Sequence, residues 1–241
     1  MAIHSPTFVC EAEVAEGVEA FAREELRDRY PRHARLEPQQ ESGSIRFTYS
    51  GDLRLLPRLR TVEAVFLAQR FDVPRPRALM GDASFRLLVR QAQTVLDLYS
   101  GQFKTLYLSA AGAHTPVMTR LKEDLARQTR LKVADEKGDL LVRVRPSKDG
   151  GWETLVRLTP RPLVTREWRV CNYEASLNAT VAHVMALMTQ PTAQDVFVNL
   201  GCGSGTLLIE RLSAKRAQRL IGIDNNPQQL VCAAANLEAS D

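Results

Sequence analysis

The feature that most constrains this chain is a glycine-rich turn between two apolar runs. Val196 to Leu200 has the length of a strand, Gly201-Cys202-Gly203-Ser204-Gly205 follows, and Thr206 to Glu210 begins a run with helical spacing. Glycine suits such a turn because the chain must reverse tightly and bring backbone N–H groups close to a ligand without a Cβ in the way. The layout predicts a nucleotide-cofactor loop in an α/β fold.

An acidic residue stands where such a fold needs one. Gln218 to Asp224 is predicted to be the next strand, and Asp224 lies 23 positions after Gly201. A carboxylate at about that distance, at the end of the second strand, binds ribose hydroxyls in these folds. Asn226-Pro227 then predicts a capped helix start. The acid favours a cofactor loop over ordinary loop chemistry, and the Gly-x-Gly-x-Gly spacing argues against a nicotinamide-dependent oxidoreductase.

These residues resemble a known family. Asn199 to Thr206 resembles motif I of class I S-adenosylmethionine-dependent methyltransferases, and Asp224 resembles their ribose-binding acid. Gly203 to Glu210 is similar to the "GSGTxxIE" form of THUMP-domain RNA methyltransferases, which modify the exocyclic amine of guanosine in tRNA or ribosomal RNA; they usually carry Asp at the position of Asn199. The resemblance implies S-adenosylmethionine as cofactor, bound by Asn199, Gly201, Gly203, Gly205, Thr206 and Asp224.

Positive charge is concentrated in the middle of the chain. The formal net charge is only +4, but residues 101–170 hold 14 Lys and Arg against 8 Asp and Glu. Residues 1–70 and 171–241 each carry a small acidic excess. The central segment is therefore where a polyanion is expected to bind.

The first two predicted domains precede the cofactor loop. Residues 1–73 show a β-α-β-β-α-β order, which is ferredoxin-like, with a helix over 16–30 and a final strand over 62–71. The prolines of residues 73–77 indicate a linker. Residues 74–160 then predict a small α/β unit, with a helix capped by Ser84, a second helix from Pro116 to Arg130 and three late strands.

This second unit resembles a THUMP domain, most visibly at Gly138 to Pro146. In that family the ferredoxin-like and THUMP domains together hold the acceptor stem and 3′ end of the RNA, and tRNA is the partner expected here rather than ribosomal RNA. The resemblance makes six basic residues candidate phosphate contacts, each of which could equally be an ordinary surface charge: Lys104, Arg120, Arg127, Arg143, Arg145 and Arg157.

Residues 161–241 are predicted to be a partial Rossmann-like methyltransferase domain. A helix over 173–188 is expected to bury a packing stripe, not a cofactor contact, made of Leu177, Val181, Val184, Met185 and Met188. His183 is interpreted as a helix-face residue. The fold class is therefore α/β, with an α+β amino-terminal part made of the two smaller domains.

One motif of the resembled family is absent from the sequence. Amine-directed members carry Asn/Asp-Pro-Pro-Tyr/Phe, whose oxygens orient the target amine, and the chain has no such tetrapeptide. Only two strands of the methyltransferase sheet are identified. We therefore expect a truncated chain with the RNA-binding part and part of the cofactor site, and assign no catalytic residue. The alternative is a non-catalytic THUMP-type RNA-binding protein.

Cysteine, histidine and hydropathy patterns complete the sequence predictions. The four cysteines form no Cys-x-x-Cys pair and the amino terminus lacks the build of a signal peptide, which indicates a reducing, cytoplasmic location. The four histidines form no ligand pattern, so no metal site is expected. No apolar run approaches the length of a membrane span.

Overall fold

The computed structural model describes residues 6–38, 41–173 and 175–240. The chain divides into two compact units. The first unit comprises residues 6–13, 26–38, 41–58 and 64–161, and the second comprises 14–25, 59–63, 162–173 and 175–240. Helix α1 (Glu19–Arg29) is divided between them at residue 25.

The first unit is built on one eight-stranded mixed sheet. Its strands are β1 (Phe8–Glu13), β2 (Ala34–Leu36), β3 (Ser44–Tyr49), β4 (Ala64–Phe71), β5 (Thr105–Ala110), β6 (Lys132–Val133), β7 (Leu140–Pro146) and β8 (Trp152–Arg157). Their spatial order is β2-β3-β1-β4-β8-β7-β5-β6. Only the pairings of β5 with β6 and β7 are parallel. The regions predicted as ferredoxin-like and THUMP domains therefore share one sheet, joined by the antiparallel pair β4 and β8.

Period-2 alternation separates the two faces of this sheet. On one face, Gln91 of helix α2 (Asp82–Leu96) donates to the carbonyl of Leu67 at 2.8 Å and accepts from the hydroxyl of Thr154, so a buried polar side chain is fully paired. Helix α3 (Pro116–Thr129) buries Met118, Leu121 and Leu125. The opposite face carries Phe66 and a layer of charged side chains, because residues on a strand point alternately to the two faces.

The second unit contains a βαβα unit. Strand β9 (Val196–Leu200) and strand β10 (Arg219–Ile223) are parallel, with Val198 opposite Ile221. Helix α4 (Ala179–Met188) precedes β9, α5 (Thr206–Ala214) connects the two strands, and α6 (Pro227–Glu238) follows β10. The predicted order of strand, glycine turn, helix, strand, acid and helix is confirmed, as is the cap at Asn226, whose side chain accepts from the Gln228 N–H.

Two helix starts were predicted wrongly. Helix α2 begins at Asp82 with Gly81 as its N-cap, so Ser84 lies inside the helix. Helix α4 begins at Ala179 and not at residue 173, because the Asn178 side chain accepts hydrogen bonds from the backbone N–H groups of Thr180 and Val181. An N-cap bonded in this way fixes the first residue of the helix, so the residues before Asn178 are not helical.

The predicted packing stripe of α4 is confirmed at Val184, which is 3% exposed, and wrong at its two methionines. Met185 is 42% exposed and Met188 is 66% exposed. The helix instead buries a face of smaller residues together with His183: Ala179, Thr180, Ala182, His183, Val184 and Ala186.

One face of the two-stranded sheet is apolar and exposed. Val196, Val198 and Leu200 of β9 and Ile223 of β10 all lie on it, and between 47% and 75% of each residue is open to solvent. Exposed faces of this kind favour association.

The cysteines differ from the sequence expectation. Cys171 and Cys232 form a disulfide across 61 residues, whereas Cys10 and Cys202 are free thiols. The sequence analysis interpreted the cysteine spacing as a sign of a reducing location and did not anticipate this disulfide. Among the residues that the structure describes, no helix is long and apolar enough to cross a membrane. In the same ranges, no group of three or more His, Cys, Asp or Glu is arranged to hold a metal ion.

Candidate cofactor-binding site

The glycine-rich loop adopts the backbone conformation for which glycine is suited. Gly201, Gly203 and Gly205 have φ angles of +69°, +54° and +79°, a region that side chains with a Cβ rarely enter. The N–H groups of Gly201 and Cys202 both donate to the carbonyl of Ile223, at 2.7 and 2.9 Å. The loop is therefore tied to the end of β10, and Gly205 is the N-cap of α5.

Asp224 joins this loop to the start of α6. One carboxylate oxygen accepts from the Gly203 N–H at 2.8 Å and the other accepts from the Asn226 N–H at 2.9 Å. These backbone hydrogen bonds hold the pKa of Asp224 below its ordinary value. The side chain is therefore a carboxylate at neutral pH, with remaining lone pairs that can accept from hydroxyl groups.

A cleft of about 480 Å³ opens above the loop. Five of the six predicted cofactor-binding residues line it: Asn199, Gly201, Gly203, Thr206 and Asp224. Gly205 instead closes the turn, where a Cβ would lie 3.2 Å from the Cβ of Ala233. The volume is within the range of small-molecule sites. The amino-terminal end of α5, where helix dipoles favour negative charge, opens into the same cleft at Thr206.

Sequence reasoning missed one wall of this cleft. Residues 171–173 and 175–178, here called the wall segment, contribute Tyr173, Ser176 and Leu177 to the lining. The sequence analysis assigned residues 173–178 to helix α4, of which residue 174 lies outside the described residues. The capping preference of Asn178 was the signal that could have separated them from the helix. Met185 and Gln229 also line the cleft and were not predicted.

Side-chain hydrogen bonds hold the wall segment against the glycine-rich loop. The hydroxyls of Ser176 and Ser204 lie 3.2 Å apart. The Arg169 guanidinium donates to the carbonyl of Leu177 at 2.8 Å and to the hydroxyl of Thr206 at 3.0 Å. The two sides of the cleft are thus connected by paired polar groups before any ligand binds.

Helix α5 is anchored by a buried carboxylate. Glu210 is fully buried and accepts from Arg166 Nε at 2.8 Å and from Arg60 Nη1 at 3.2 Å, while His183 Nδ1 lies 2.9 Å from its other oxygen. Burial alone would raise the pKa of Glu210, but the hydrogen bond from His183 and the charges of Arg166 and Arg60 hold it below its ordinary value. Because α5 starts at the glycine-rich loop, this cluster also anchors the helix whose first residues, Thr206 and Leu207, line the cleft.

A second buried ion pair fixes the start of β9. Arg211 is fully buried and donates to Asp195 at 2.6 Å and to the carbonyl of Thr192 at 3.0 Å. Hydrogen bonds from the Thr192 side chain and backbone, and then from Arg211, lower the pKa of Asp195 to about 2. The strand that leads into the loop is therefore held at Asp195, the residue just before its start.

The six candidate RNA contacts occupy different environments. Arg143 pairs with Glu13 at 3.1 Å and lies over the Phe66 ring, 4.5 Å from its centroid. Arg145 pairs with both Glu11 and Glu153 at 2.6 Å. These two lie on one sheet face, as predicted from their alternation, but carboxylates on neighbouring strands balance their charges.

The other four candidates divide into one buried and three exposed residues. Arg157 is 8% exposed and donates to the carbonyls of Thr159 and Pro160, so its guanidinium is used within the fold. Lys104 is exposed at the start of the β5 region. Arg120 and Arg127 each have a side chain 73% exposed on α3 and share the carboxylate of Asp124.

Part of the second unit matches a known family model. Residues 166–241 match the family model described as RMKL-like, methyltransferase domain. The matched range begins at Arg166 and contains α4, the glycine-rich loop, Asp224 and α6. This part of the chain therefore has the sequence pattern of a methyltransferase domain.

The chain is also similar to a particular curated enzyme. It is 27% identical over 188 residues to the tRNA (guanine(6)-N2)-methyltransferase of Methanocaldococcus jannaschii. The match covers 71% of this chain and 48% of that enzyme, so the chain spans about half the length of the curated relative.

Solved structures share the fold. TrmN from Thermus thermophilus superposes with a TM-score of 0.71 at 21% identity, covering 98% of this chain and 70% of that one. A predicted N6-adenine-specific DNA methylase from Listeria monocytogenes gives a TM-score of 0.64 at 18% identity, covering 98% and 72% of the two chains. SMU.472, whose crystal structure contains SAH, gives 0.61 at 16% identity over 97% and 72%. The chain therefore shares its mixed α/β architecture with these solved structures.

Proposed function

We propose that this chain provides the S-adenosylmethionine site and the RNA-binding surface of an RNA methyltransferase that acts on the exocyclic amine of a guanosine in tRNA. The observation that carries the proposal is the cleft formed by three left-handed glycines, the Asp224 carboxylate and the start of α5. The similarity to a tRNA guanine-N2-methyltransferase supports the substrate class.

The residues of the cleft fit an adenosyl cofactor that carries an amino-acid group. Asp224 is an ionised acceptor suited to ribose hydroxyls. The start of α5 favours a carboxylate, and the glycine-rich loop keeps its backbone open to close approach. Asn199 is a neutral amide where the resembled family usually has Asp, so it contributes hydrogen bonds to the cofactor but no charge.

When bound, the cofactor supplies an electrophilic methyl group on a sulfonium. The chain's own contribution is positioning: the Glu210 cluster fixes α5, and Arg169 and Ser176 fix the wall segment against the loop. Methyl transfer further needs oxygens that orient the target amine. The resemblance assigns them to an Asn/Asp-Pro-Pro-Tyr/Phe motif, and these 241 residues contain none.

Calorimetry with S-adenosylhomocysteine tests the cofactor site. We expect the parent chain to bind, and Asp224→Ala to weaken binding about tenfold to a hundredfold because it removes a charged acceptor. Glu238→Ala, which removes an exposed carboxylate from α6 of the same unit, is the matched control and should bind like the parent. Equal affinities for both variants would place the ribose elsewhere, and no binding by the parent would refute the cofactor assignment.

The RNA surface is proposed to centre on the exposed arginines of α3, together with Lys104. Arg120 and Arg127 share one carboxylate between them. In contrast, Arg143 pairs with Glu13, and Arg145 pairs with two nearly buried carboxylates that it shares with Arg46. Phosphate contacts need cations that can leave their protein partners without breaking the fold, and exposed side chains satisfy this condition. Arg143, Arg145 and Arg157 then act by shaping the sheet that supports this surface.

A salt series with tRNA tests this assignment. We expect Arg120→Gln with Arg127→Gln to weaken binding across RNA sequences and to reduce the salt slope by up to about two. The same change at Arg86 and Arg90, two exposed arginines of α2, controls for lost positive charge. Equal slopes for the parent and the α3 variant would exclude α3 as the RNA surface.

The non-catalytic alternative makes a different prediction. A THUMP-type RNA-binding protein without cofactor function would bind tRNA but give no heat with S-adenosylhomocysteine. The left-handed glycines and the ionised Asp224 favour the methyltransferase proposal, because RNA binding by the first unit has no need for either.

A further inference from the structure

The disulfide lies beside the proposed cofactor cleft. Cys171 begins the wall segment, and Cys232 lies on α6, the helix that follows Asp224. The two Cα atoms are 5.4 Å apart. The bond therefore ties the start of the wall segment to α6, which contributes Gln229 to the cleft lining, across 61 residues of sequence.

A second connection joins the same two elements without a covalent bond. Asn236 is fully buried on α6, one turn after Cys232. Its side chain accepts from the Cys171 N–H at 2.8 Å and donates to the Cys171 carbonyl at 2.9 Å and to the Ser204 carbonyl at 3.0 Å. The hydrogen bonds to the Cys171 backbone do not pass through the sulfur atoms, so they connect Cys171 to α6 independently of the disulfide.

We propose that Cys171 and Cys232 are a reversible thiol–disulfide modification site that controls how firmly the wall segment is held at the cofactor cleft. The effect on cofactor affinity rests on the function proposed above, whereas the effect on the wall segment does not. The reacting partner is a low-molecular-weight disulfide.

The exchange balances as two successive substitutions. The thiolate of Cys171, which is partly exposed, attacks the small disulfide, forms a mixed disulfide and releases one small thiolate. The Cys232 thiolate, on a residue only 2% exposed, then attacks the Cys171 sulfur and releases the second. Two cysteine thiols are oxidised, the small disulfide is reduced to two thiols, and the two cysteine protons pass through solvent to the released thiolates.

Oxidation is expected to tighten the site because it orders the wall before the cofactor binds. The reduced protein retains the Asn236 hydrogen bonds but has no covalent constraint, so the wall segment samples more conformations. A pre-ordered wall avoids part of the ordering entropy of binding. We expect the oxidised protein to bind S-adenosylhomocysteine about three- to tenfold more tightly than the reduced protein.

The experiment uses the whole chain after equilibration with oxidised glutathione or with dithiothreitol. Mass spectrometry of peptides identifies the cross-link, hydrogen exchange measures the protection of the wall segment, and calorimetry measures the affinity for S-adenosylhomocysteine. Cys171→Ala and Cys232→Ala should each behave as the reduced protein under both conditions. Cys10→Ala, which removes a free buried thiol from the first unit, should keep the full redox response.

The outcomes separate this inference from the proposed function. Absence of the cross-link with oxidised glutathione overturns the inference, and so does equal hydrogen exchange of the wall segment in the two redox states. If exchange differs as expected but neither form binds S-adenosylhomocysteine, the modification site stands and the proposed function fails. If both forms bind with the same affinity, the cofactor site stands and the redox control is wrong.

Discussion

Replacing Glu210 with glutamine removes the negative charge at the centre of the buried cluster below the cofactor cleft. Glutamine has the same shape, so the packing of α5 changes little. Arg166, whose side chain is 5% exposed, then keeps a buried charge without its carboxylate. Arg60 has a side chain that is 30% exposed and can reach solvent. The stabilisation lost in Glu210→Gln is therefore mainly that of the buried charge of Arg166.

The expected magnitude follows from this difference in exposure. Breaking a buried ion pair by removing one partner destabilises proteins by about 3–5 kcal/mol. Since one of the two arginines can be hydrated, we expect about 3 kcal/mol for Glu210→Gln, near the lower limit. In a unit of this size that loss corresponds to a fall in Tm on the order of 10–20 °C.

Tryptophan fluorescence can follow the second unit alone. The chain has two tryptophans, Trp152 in β8 and Trp168 in the second unit, where it packs with Ala179 and Ile209. In a Trp152→Phe background, urea unfolding reported by Trp168 measures the unit that holds Glu210. Glu238→Gln, the same change at an exposed position of α6, is the control. A difference below about 0.5 kcal/mol between the two variants would refute the reasoning.

The pH dependence of this stability difference independently tests whether Glu210 is negatively charged in the folded protein. The pKa of Glu210 is lowered in the folded protein, so its charge adds stability above the ordinary glutamate pKa of about 4.5. That stability is lost as the pH falls through the lower folded-state pKa. The stability difference between the parent and Glu210→Gln should therefore be constant near neutral pH and shrink below about pH 4.5. A difference that stays constant at acid pH would contradict the assigned charge.

The remaining predictions concern the loop, the sheet and the exposed face. Gly203→Val should abolish S-adenosylhomocysteine binding in calorimetry, because φ is +54° and a Cβ would lie 2.9 Å from Gln229 Oε1, whereas Gly101→Val, at φ +79° in the first unit, should bind normally. Arg145→Met should lower the urea-measured free energy of unfolding by about 2 kcal/mol, since Glu11 and Glu153 are nearly buried, and Arg127→Met should stay within about 0.5 kcal/mol of the parent. Light scattering should show a mass that rises with protein concentration, because exposed apolar sheet faces associate, and Val198→Lys should lower that mass. A parent protein that stays monomeric at high concentration would show that this surface does not drive association.

Sequence reasoning predicted the glycine-rich turn between β9 and α5 because the determinants of such a turn are local. A strand-length apolar run, three closely spaced glycines and an acidic residue after the next strand can all be recognised within about 30 residues of sequence. The structure shows the same order, with Asp224 bonded to the loop through the Gly203 N–H. The capping of α6 by Asn226 was predicted for the same reason.

The error at α4 shows how two local signals compete. Leu177, Met185 and Met188 have helical spacing, and that stripe favoured a long helix. Asn178 caps the helix instead, and the preceding residues form a wall of the cleft. Tertiary contacts of the wall segment decide between the two signals. The Ser176 hydroxyl lies beside the Ser204 hydroxyl, and the Leu177 carbonyl accepts from Arg169.

Only the tertiary structure decided which charges and thiols are paired. Arg145 and its partner Glu11 are 134 residues apart in sequence, and they meet because the sheet order places β1, β4, β8 and β7 side by side. The alternation of β7 predicted which face Arg145 occupies, but not that a carboxylate from another strand neutralises it. Cys171 and Cys232 likewise meet across 61 residues. A sequence encodes local backbone preference and the periodicity of each face, whereas the identity of a side chain's partner depends on strand order and helix packing, which are set by the chain as a whole.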